Sequence, residues 1–343
     1  MTRHIGILGG GNISDTHARA AAAIPGVKVV AVCGTDENRL RKLAAAHGAT
    51  PYTDLQAFLR HRPMEIVAIG SPSGVHGEQV EAAAAHGLHV LCEKPLEVTT
   101  ARIDRAIAAV ERAGVKLGVF FQDRCTPDFV QLADEMARGE LGRPLLAEAR
   151  VKWYRPPEYY SASRWRGTWA LDGGGAVMNQ ASHTVDLLLW LLGDIRRVYA
   201  KTLTALHAIE VEDTAVAVFE FVNGAVATFE ATTAAWPGYD RRVAITGSNG
   251  TVVIEGGRVV RRDLRGTDGA STGAGPETGR TTASAASPVV ADASAHRRVF
   301  EDFFEALDTG RAPRVDGREG RRSVAVIEAM YESSRRGAPV DLG

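Results

Sequence analysis

Cysteine is scarce in this chain. Cys33, Cys92 and Cys125 are the three among 343 residues, an odd number without the spacing of metal ligands, so neither a disulfide framework nor a zinc module is expected. Cys33 and Cys92 end apolar runs, as core-filling residues do, and a reduced, cytoplasmic setting is the expectation. Long hydrophobic runs are also missing. Leu187-Leu188-Leu189-Trp190-Leu191-Leu192 is far too short to span a bilayer, and Met1-Thr2-Arg3-His4 leads straight into a strand with no apolar stretch or cleavage site. An excess of one charge is missing too: 40 Lys and Arg stand against 41 Asp and Glu, with no basic stripe, so nucleic acid is not an expected partner. What the chain does have is 45 % apolar and 24 % charged residues, the balance of a globular protein with full cores. Its length suggests two domains.

Short apolar runs alternate with helical stretches in the first third. Ile5–Leu8, Val27–Cys33, Ile66–Ile69, Leu88–Cys92 and Val115–Phe120 read as buried strands. Ile13–Ile24, Asp36–His47, Val75–His86 and Thr99–Ala113 read as helices, closed by Pro25-Gly26, Gly48, Gly87 and Gly114. Continuous apolar strands between helices imply a parallel sheet covered on both faces, and right-handed crossovers make it doubly wound. Past Gln122 and one more helix, Pro127–Arg138, the pattern changes to longer alternating runs, with turn signals at Asn223-Gly224 and Asn249-Gly250. That predicts an antiparallel α+β domain. The expected boundaries are 1–122 and 123–343, with a Gly-, Ser- and Thr-rich surface loop over 263–292. Helices over Ala293–Leu307 and Arg318–Arg335 close the chain.

The first strand runs into Gly9-Gly10-Gly11-Asn12-Ile13-Ser14 and then into a helix. Gly9, Gly11 and Ser14 occupy the three positions of G-x-G-x-x-G. The first glycine permits the turn, and the second lets the backbone, with Asn12 and Ile13, approach a diphosphate at the helix N-terminus. Strand before and helix after are the context that makes a dinucleotide site of it. At the end of the second strand an acid selects NAD; this chain has Gly34 there, then Thr35 and Asp36. Thr35 and Arg39 leave NADP open, so the cofactor is read as NAD or NADP. Ser71 and Pro72 follow the strand Ile66–Ile69 and would edge the nicotinamide and its ribose; His76, a turn later, either joins them or points to water from the start of the next helix.

Glu93-Lys94-Pro95 ends the strand Leu88–Cys92, at the rim where open α/β sheets bind ligands. Oxidising an alcohol carbon needs a hydride acceptor and something to take the hydroxyl proton. Lys94 can hold the developing alkoxide or share its proton. Lys94-Pro95 is a candidate cis bond. A second constellation follows Gly173-Gly174-Gly175: Asn179 and His183, four apart, share one helix face, and His183 titrates near neutrality. His183-x-x-Asp186 has a metal-like spacing, but no further cluster supports it and no metal is expected. Trp153, Tyr154, Arg166 and Trp169 offer aromatic faces beside guanidinium donors, suited to a polyhydroxylated ring. Gln122 and Arg124 lie at the domain junction, Gln122 as a cofactor contact and Arg124 as a substrate contact.

Together, the glycine turn, Glu93-Lys94-Pro95, the Gly173–Asp186 segment and the closing helix with Tyr331-Glu332-Ser333 resemble the glucose-fructose oxidoreductase, inositol dehydrogenase and rhizopine-catabolism (Gfo/Idh/MocA) family. The resemblance spans nearly the whole chain. It implies a Rossmann domain, an open-faced sheet domain, homodimers or homotetramers formed through that sheet, and hydride transfer on sugars, cyclitols or sugar nucleotides. It also implies that Lys94 and His183 are the catalytic lysine and histidine, and that Asn179 stands where an aspartate is common. An amide orients a hydroxyl but cannot stabilise an imidazolium by charge. Lys152-Trp153-Tyr154 with Pro156–Tyr160 looks like the sugar-nucleotide branch. The reading is thus an NAD(P)-dependent oxidoreductase acting on a CH–OH carbon. A hydrolase using transient oxidation, or a non-catalytic sugar or dinucleotide sensor, is the alternative.

Overall fold

The computed structural model describes residues 2–266 and 292–343. Two compact units make up the chain, Met1–Cys125 with Val289–Arg321, and Thr126–Pro288 with Arg322–Gly343. The expected boundary after Gln122 lies close to Cys125. The first unit, however, also takes a segment near the C-terminus, including the helix Ser294–Thr309.

Six strands form the first unit's sheet: β1 (Arg3–Leu8), β2 (Val27–Cys33), β3 (Thr50–Tyr52), β4 (Ile66–Ile69), β5 (His89–Cys92) and β6 (Leu117–Val119). All neighbours pair in parallel, in the order β3-β2-β1-β4-β5-β6, the doubly wound arrangement with its switch point between β1 and β4. Full burial on both faces explains the unbroken apolar runs of β4 and β5. Ile5, Ile7, Ala18, Ala21, Ile66 and Phe300 belong to one core. Phe300 lies on the late helix Ser294–Thr309, which supplies Phe303 and Phe304 as well. Asp36 and Thr99 cap the second and fourth long helices by accepting backbone N–H bonds. Gly48 and Gly114 end those helices in the left-handed region. Lys94-Pro95 is cis, as expected; Arg62-Pro63 and Trp236-Pro237 are cis as well.

Among the described residues the second unit holds eight strands: β7 (Pro144–Lys152), β8 (Ile195–Leu203), β9 (Thr214–Phe221), β10 (Val226–Thr232), β11 (Arg242–Gly247), β12 (Gly250–Glu255), β13 (Arg258–Leu264) and β14 (Val340–Asp341). Their order is β13-β12-β11-β7-β10-β9-β8-β14. Every pairing is antiparallel except β7 with β10, which run parallel. Strict alternation puts Ala147, Ala149 and Val151 of β7 inside and Leu146 and Glu148 outside.

Three sequence expectations change. The turn placed at Asn249-Gly250 lies one residue earlier, because Gly250 already pairs with Gly247 and the connection is Ser248-Asn249. The loop placed over 263–292 cannot begin at 263, since β13 runs to Leu264; its middle, 267–291, falls outside the described residues. The segment around Asn179 is not one α-helix. Ala176–Ala181 is a π-helical turn, and the α-helix begins at Ser182 and runs to Leu192. Insertions of this kind gather at functional sites.

Candidate active site

The glycine turn has the shape a diphosphate requires. A Cβ at Gly9 would lie 2.5 Å from Ser14 Oγ and 2.6 Å from the Gly70 carbonyl oxygen, so only glycine fits, and its φ of +131° agrees. An added Cβ at Gly10 or Gly11 meets nothing within 4 Å: the turn is packed on one side and open on the other. Gly11 caps the helix Asn12–Ala22 with no side-chain bond, leaving first-turn N–H groups to an anion. Asn12 is exposed and Ile13 half-buried. Ser14 is buried, so it fits the packing role of the third position.

At the adenosine end, a Cβ on Gly34 would come 3.3 Å from Gly10 N, which ties this position to the turn. Asp36 is spent on capping: its Oδ1 accepts from Asn38 N and Arg39 N. Arg39 lies 3.5 Å from Asp36 and is largely exposed, and Thr35 is exposed too.

The other half of the same rim, beyond β4 and β5, carries Ser71, Pro72 and Lys94. From Val90 to Val98 every residue is buried except Lys94. His76, which sequence alone left as either a site residue or a solvated one, is buried; its Nδ1 lies 2.9 Å from the Pro95 carbonyl oxygen and its Nε2 2.9 Å from that of Ser71. It therefore bridges the loops after β4 and β5. The Glu93 carboxylate turns inward: Oε1 accepts from His17 Nε2 at 3.0 Å and Oε2 accepts from Lys94 N at 3.0 Å. Gln122 is half-buried. Arg124 is 3 % exposed and paired with Glu319 at 2.7 Å.

In the second unit the selection is as sharp. From Asp172 to Leu189 every residue is buried except Asn179 and His183. The triple glycine makes this possible. A Cβ on Gly174 would fall 1.9 Å from Tyr331 Oη, and one on Gly175 1.9 Å from the Glu212 carbonyl oxygen. Glu212 holds the start of the π turn. Its carboxylate accepts from Gly175 N at 3.1 Å, Val177 N at 2.8 Å and Tyr331 Oη at 3.1 Å. Burial pushes Glu212 up to about 7 against the pull of these donors. Asn179 Nδ2 donates to Asp172 Oδ1. Gln180 Nε2 donates to Asn179 Oδ1 at 2.8 Å and to Tyr159 Oη at 2.9 Å, while Arg155 donates to Gln180 Oε1 at 2.9 Å. The amide at 179 is thus fixed from both ends, and a carboxylate stands behind it.

The aromatic segment contributes guanidinium–ring pairs. Arg166 lies 4.1 Å from the Tyr159 ring centroid and 5.1 Å from that of Trp165; Arg155 lies 5.0 Å from the Trp153 ring. Trp153 is half-buried, Tyr154 meets Trp236 edge-on at 5.0 Å, and Trp169 is exposed and edge-on to Tyr331 at 5.2 Å. His17, His296, Glu212, Asp172 and Gln180 escaped the sequence reading. His17, Gln180 and His296 had a signal, a polar residue on the buried face of a helical segment; Glu212 had none.

The first unit is a dinucleotide-binding oxidoreductase module, and comparison with known proteins agrees. Residues 3–121 match a family model described as the oxidoreductase family with an NAD-binding Rossmann fold, and residues 129–253 match the GFO/IDH/MocA C-terminal domain. The chain belongs to the Gfo/Idh/MocA oxidoreductase family. It is 30 % identical to D-xylose 1-dehydrogenase (NADP(+)) 2 of Haloferax volcanii, over 98 % of this chain and 99 % of that one. It is 28 % identical to inositol 2-dehydrogenase 2 of Saccharopolyspora erythraea, over 100 % and 96 %. The crystal structure of the WlbA dehydrogenase from Bordetella pertussis, in complex with NADH and UDP-GlcNAcA, superposes with a TM-score of 0.88 at 33 % identity, covering 100 % of this chain and 99 % of that one. Among the described residues no helix is long and apolar enough to cross a membrane.

Proposed function

We propose that the protein transfers a hydride between NAD(P) and a CH–OH carbon of a sugar, cyclitol or sugar nucleotide. The observation that carries this is the paired exposure pattern: Lys94 alone breaks the buried stretch Val90–Val98, and Asn179 and His183 alone break the stretch Asp172–Leu189. Desolvating a side chain is the default in such stretches, so the polar groups left accessible are the ones available to a ligand. The nicotinamide, when bound, supplies hydride transfer. Lys94 stabilises charge on the substrate oxygen, and His183 exchanges its proton. Asn179, with Asp172 behind it, orients a hydroxyl.

Arg166 supports an anionic or nucleotide-bearing substrate. Its guanidinium is stacked on Tyr159 and Trp165, and its buried Nε has no hydrogen-bond partner among the described residues. The WlbA likeness puts nucleotide sugars first in a substrate screen. The exposed outer residues Leu146, Tyr199, Val216, Val218 and Val226 of the second sheet support a homodimer or homotetramer formed through that face, and the few unpaired cysteines support a cytoplasmic setting.

The test is a screen of nucleotide sugars, aldoses and cyclitols with NAD and NADP, read at the nicotinamide absorbance band, followed by Lys94→Ala. Loss of turnover with NADH binding retained supports the assignment; unchanged turnover ends it. Product formation without net cofactor reduction would point instead to the transient-oxidation hydrolase.

A further inference from the structure

We propose that His17 and His296 are positioning residues for the Glu93-Lys94-Pro95 turn, each donating Nε2–H to one Glu93 carboxylate oxygen while the other oxygen holds the Lys94 backbone. This rests on the reading of Lys94 as the polarising group, and it concerns residues that reach neither cofactor nor substrate.

The geometry is closed. His17 Nε2 lies 3.0 Å and His296 Nε2 3.4 Å from Glu93 Oε1, and Lys94 N lies 3.0 Å from Oε2. All three side chains are buried, at 0 %, 2 % and 10 % exposure for His17, His296 and Glu93. Phe120 stacks on the His17 ring at 4.3 Å and 15°, and meets His296 at 5.6 Å; Phe300 closes the edge of His17 at 6.3 Å. Neither ring can turn freely inside such packing. His17 also lies under the loop after β4, where a Cβ on Gly70 would be 3.2 Å from His17 Cε1. One imidazole therefore touches the helix after the glycine turn, the loop after β4 and, through Glu93, the loop after β5.

The tautomer follows from what the other ring nitrogens meet. Among the described residues, Nδ1 of His17 and Nδ1 of His296 are buried with no hydrogen-bond partner. A proton there would be a donor without an acceptor, which is costly, whereas a bare Nδ1 forgoes only an acceptor. So each ring carries its proton on Nε2, aimed at the carboxylate. Burial would raise the Glu93 carboxyl, but its contacts with His17 and His296 outweigh this and hold it well below the usual carboxylate range. Burial pulls His17 down despite Glu93. The other titratable groups near the cluster are His76 toward His17, and Cys92 and Glu97 on the Glu93 side; burial pushes the Cys92 thiol well up, so it stays neutral. The result is a fixed anion whose second oxygen pins the peptide N–H of the lysine.

The same three ligand atoms lie within 4.8 Å of one another, a spacing a divalent cation could also use. Metal-bound imidazoles, however, normally donate their second ring N–H to a partner, and both Nδ1 atoms here lack one. The hydrogen-bonded arrangement is the one the surroundings satisfy.

Two measurements test this, the first independent of any substrate. In protein labelled with ¹⁵N-histidine, two-bond ¹H–¹⁵N correlation spectra at about pH 8, assigned with His17→Gln and His296→Gln, should show both rings as Nε2–H tautomers. An Nδ1–H tautomer in either ring or a stoichiometric transition metal in the purified protein overturns the proposal. The second uses a substrate from the screen. His17→Leu removes the donor and should lower kcat by about tenfold to about a hundredfold, leave KM little changed, and introduce a new loss of kcat on the acid side as Glu93 gains a proton. His17→Gln keeps a donor near Nε2 and should recover most of kcat and the original pH profile. Equal losses in both variants with unaltered pH profiles overturn it. If no substrate is found, the tautomer spectra still decide the proposal; if Lys94→Ala leaves turnover unchanged, the assigned role of Lys94 fails while the hydrogen-bonded cluster stands or falls on its own spectra.

Discussion

Both units set an accessible polar side chain beside a buried carboxyl, and the two carboxyls are shifted in opposite directions. In each, a buried carboxylate accepts main-chain N–H bonds beside an accessible side chain: Glu93 takes Lys94 N, and Glu212 takes Gly175 N and Val177 N ahead of Asn179. Glu93 also receives two imidazoles and stays charged. Glu212 receives only backbone groups and one phenol, and its carboxyl sits near 7. Donor number alone does not decide the charge state of a buried acid; the neighbours must also repay its desolvation.

The comparison is broken most directly at His183. His183→Ala should lower turnover by about 10²- to 10⁴-fold while NADH binding, a property of the first unit, stays intact by fluorescence titration. Next come the two glycine turns. Gly175→Ala drives a methyl into the Glu212 carbonyl and should cost about 3 kcal/mol or more by chemical denaturation. Gly10→Ala, facing open space, should fold normally and weaken NADH binding instead. Glu212 gives the third effect. Its folded value, about 7, lies above the ordinary 4.5, so its contribution is fully present below the ordinary value and is lost as pH rises through about 7, by roughly 3 kcal/mol in all. Glu93 and His17 lie below their ordinary values; their contribution is present above those values and is lost as pH falls. From about pH 5 to about pH 7 the falling contribution of Glu212 therefore overlaps the rising one of His17, and above about pH 7 neither changes further; Glu212→Gln removes the falling one, so denaturation midpoints should rise more steeply over that window than in the parent protein. The smallest effect is at Asp36: Asp36→Ala removes a helix cap worth about 1 kcal/mol and should leave NADH affinity unchanged.

Much of this was legible before any coordinates. Buried parallel strands announce themselves by unbroken apolar runs, so Val27–Cys33 and Ile66–Ile69 are read to the residue. β3, with Pro51 at its centre, and β13, with Arg258, Arg261, Arg262 and Asp263, are edge strands whose composition hides them. The π turn at Ala176–Ala181 left no signal, because its insertion shifts helical phase without changing composition. Lys94, Asn179 and His183 were found because chemistry-bearing residues sat beside glycine and proline markers. Glu93 is legible in the same motif as Lys94, but its pairing with His17 is not, because the two are 76 residues apart and nothing local ties them together.

His76 joins Ser71 to Pro95 through two carbonyl contacts, so the nicotinamide-side loops form one stiff ledge. The ties described on that ledge, through His17, Glu93 and His76, do not extend to Gly34, Thr35 or Arg39. On the proposed reading, coenzyme preference is separable from chemistry: exchanging residues beyond β2 is expected to favour one phosphate form over the other without disturbing Lys94.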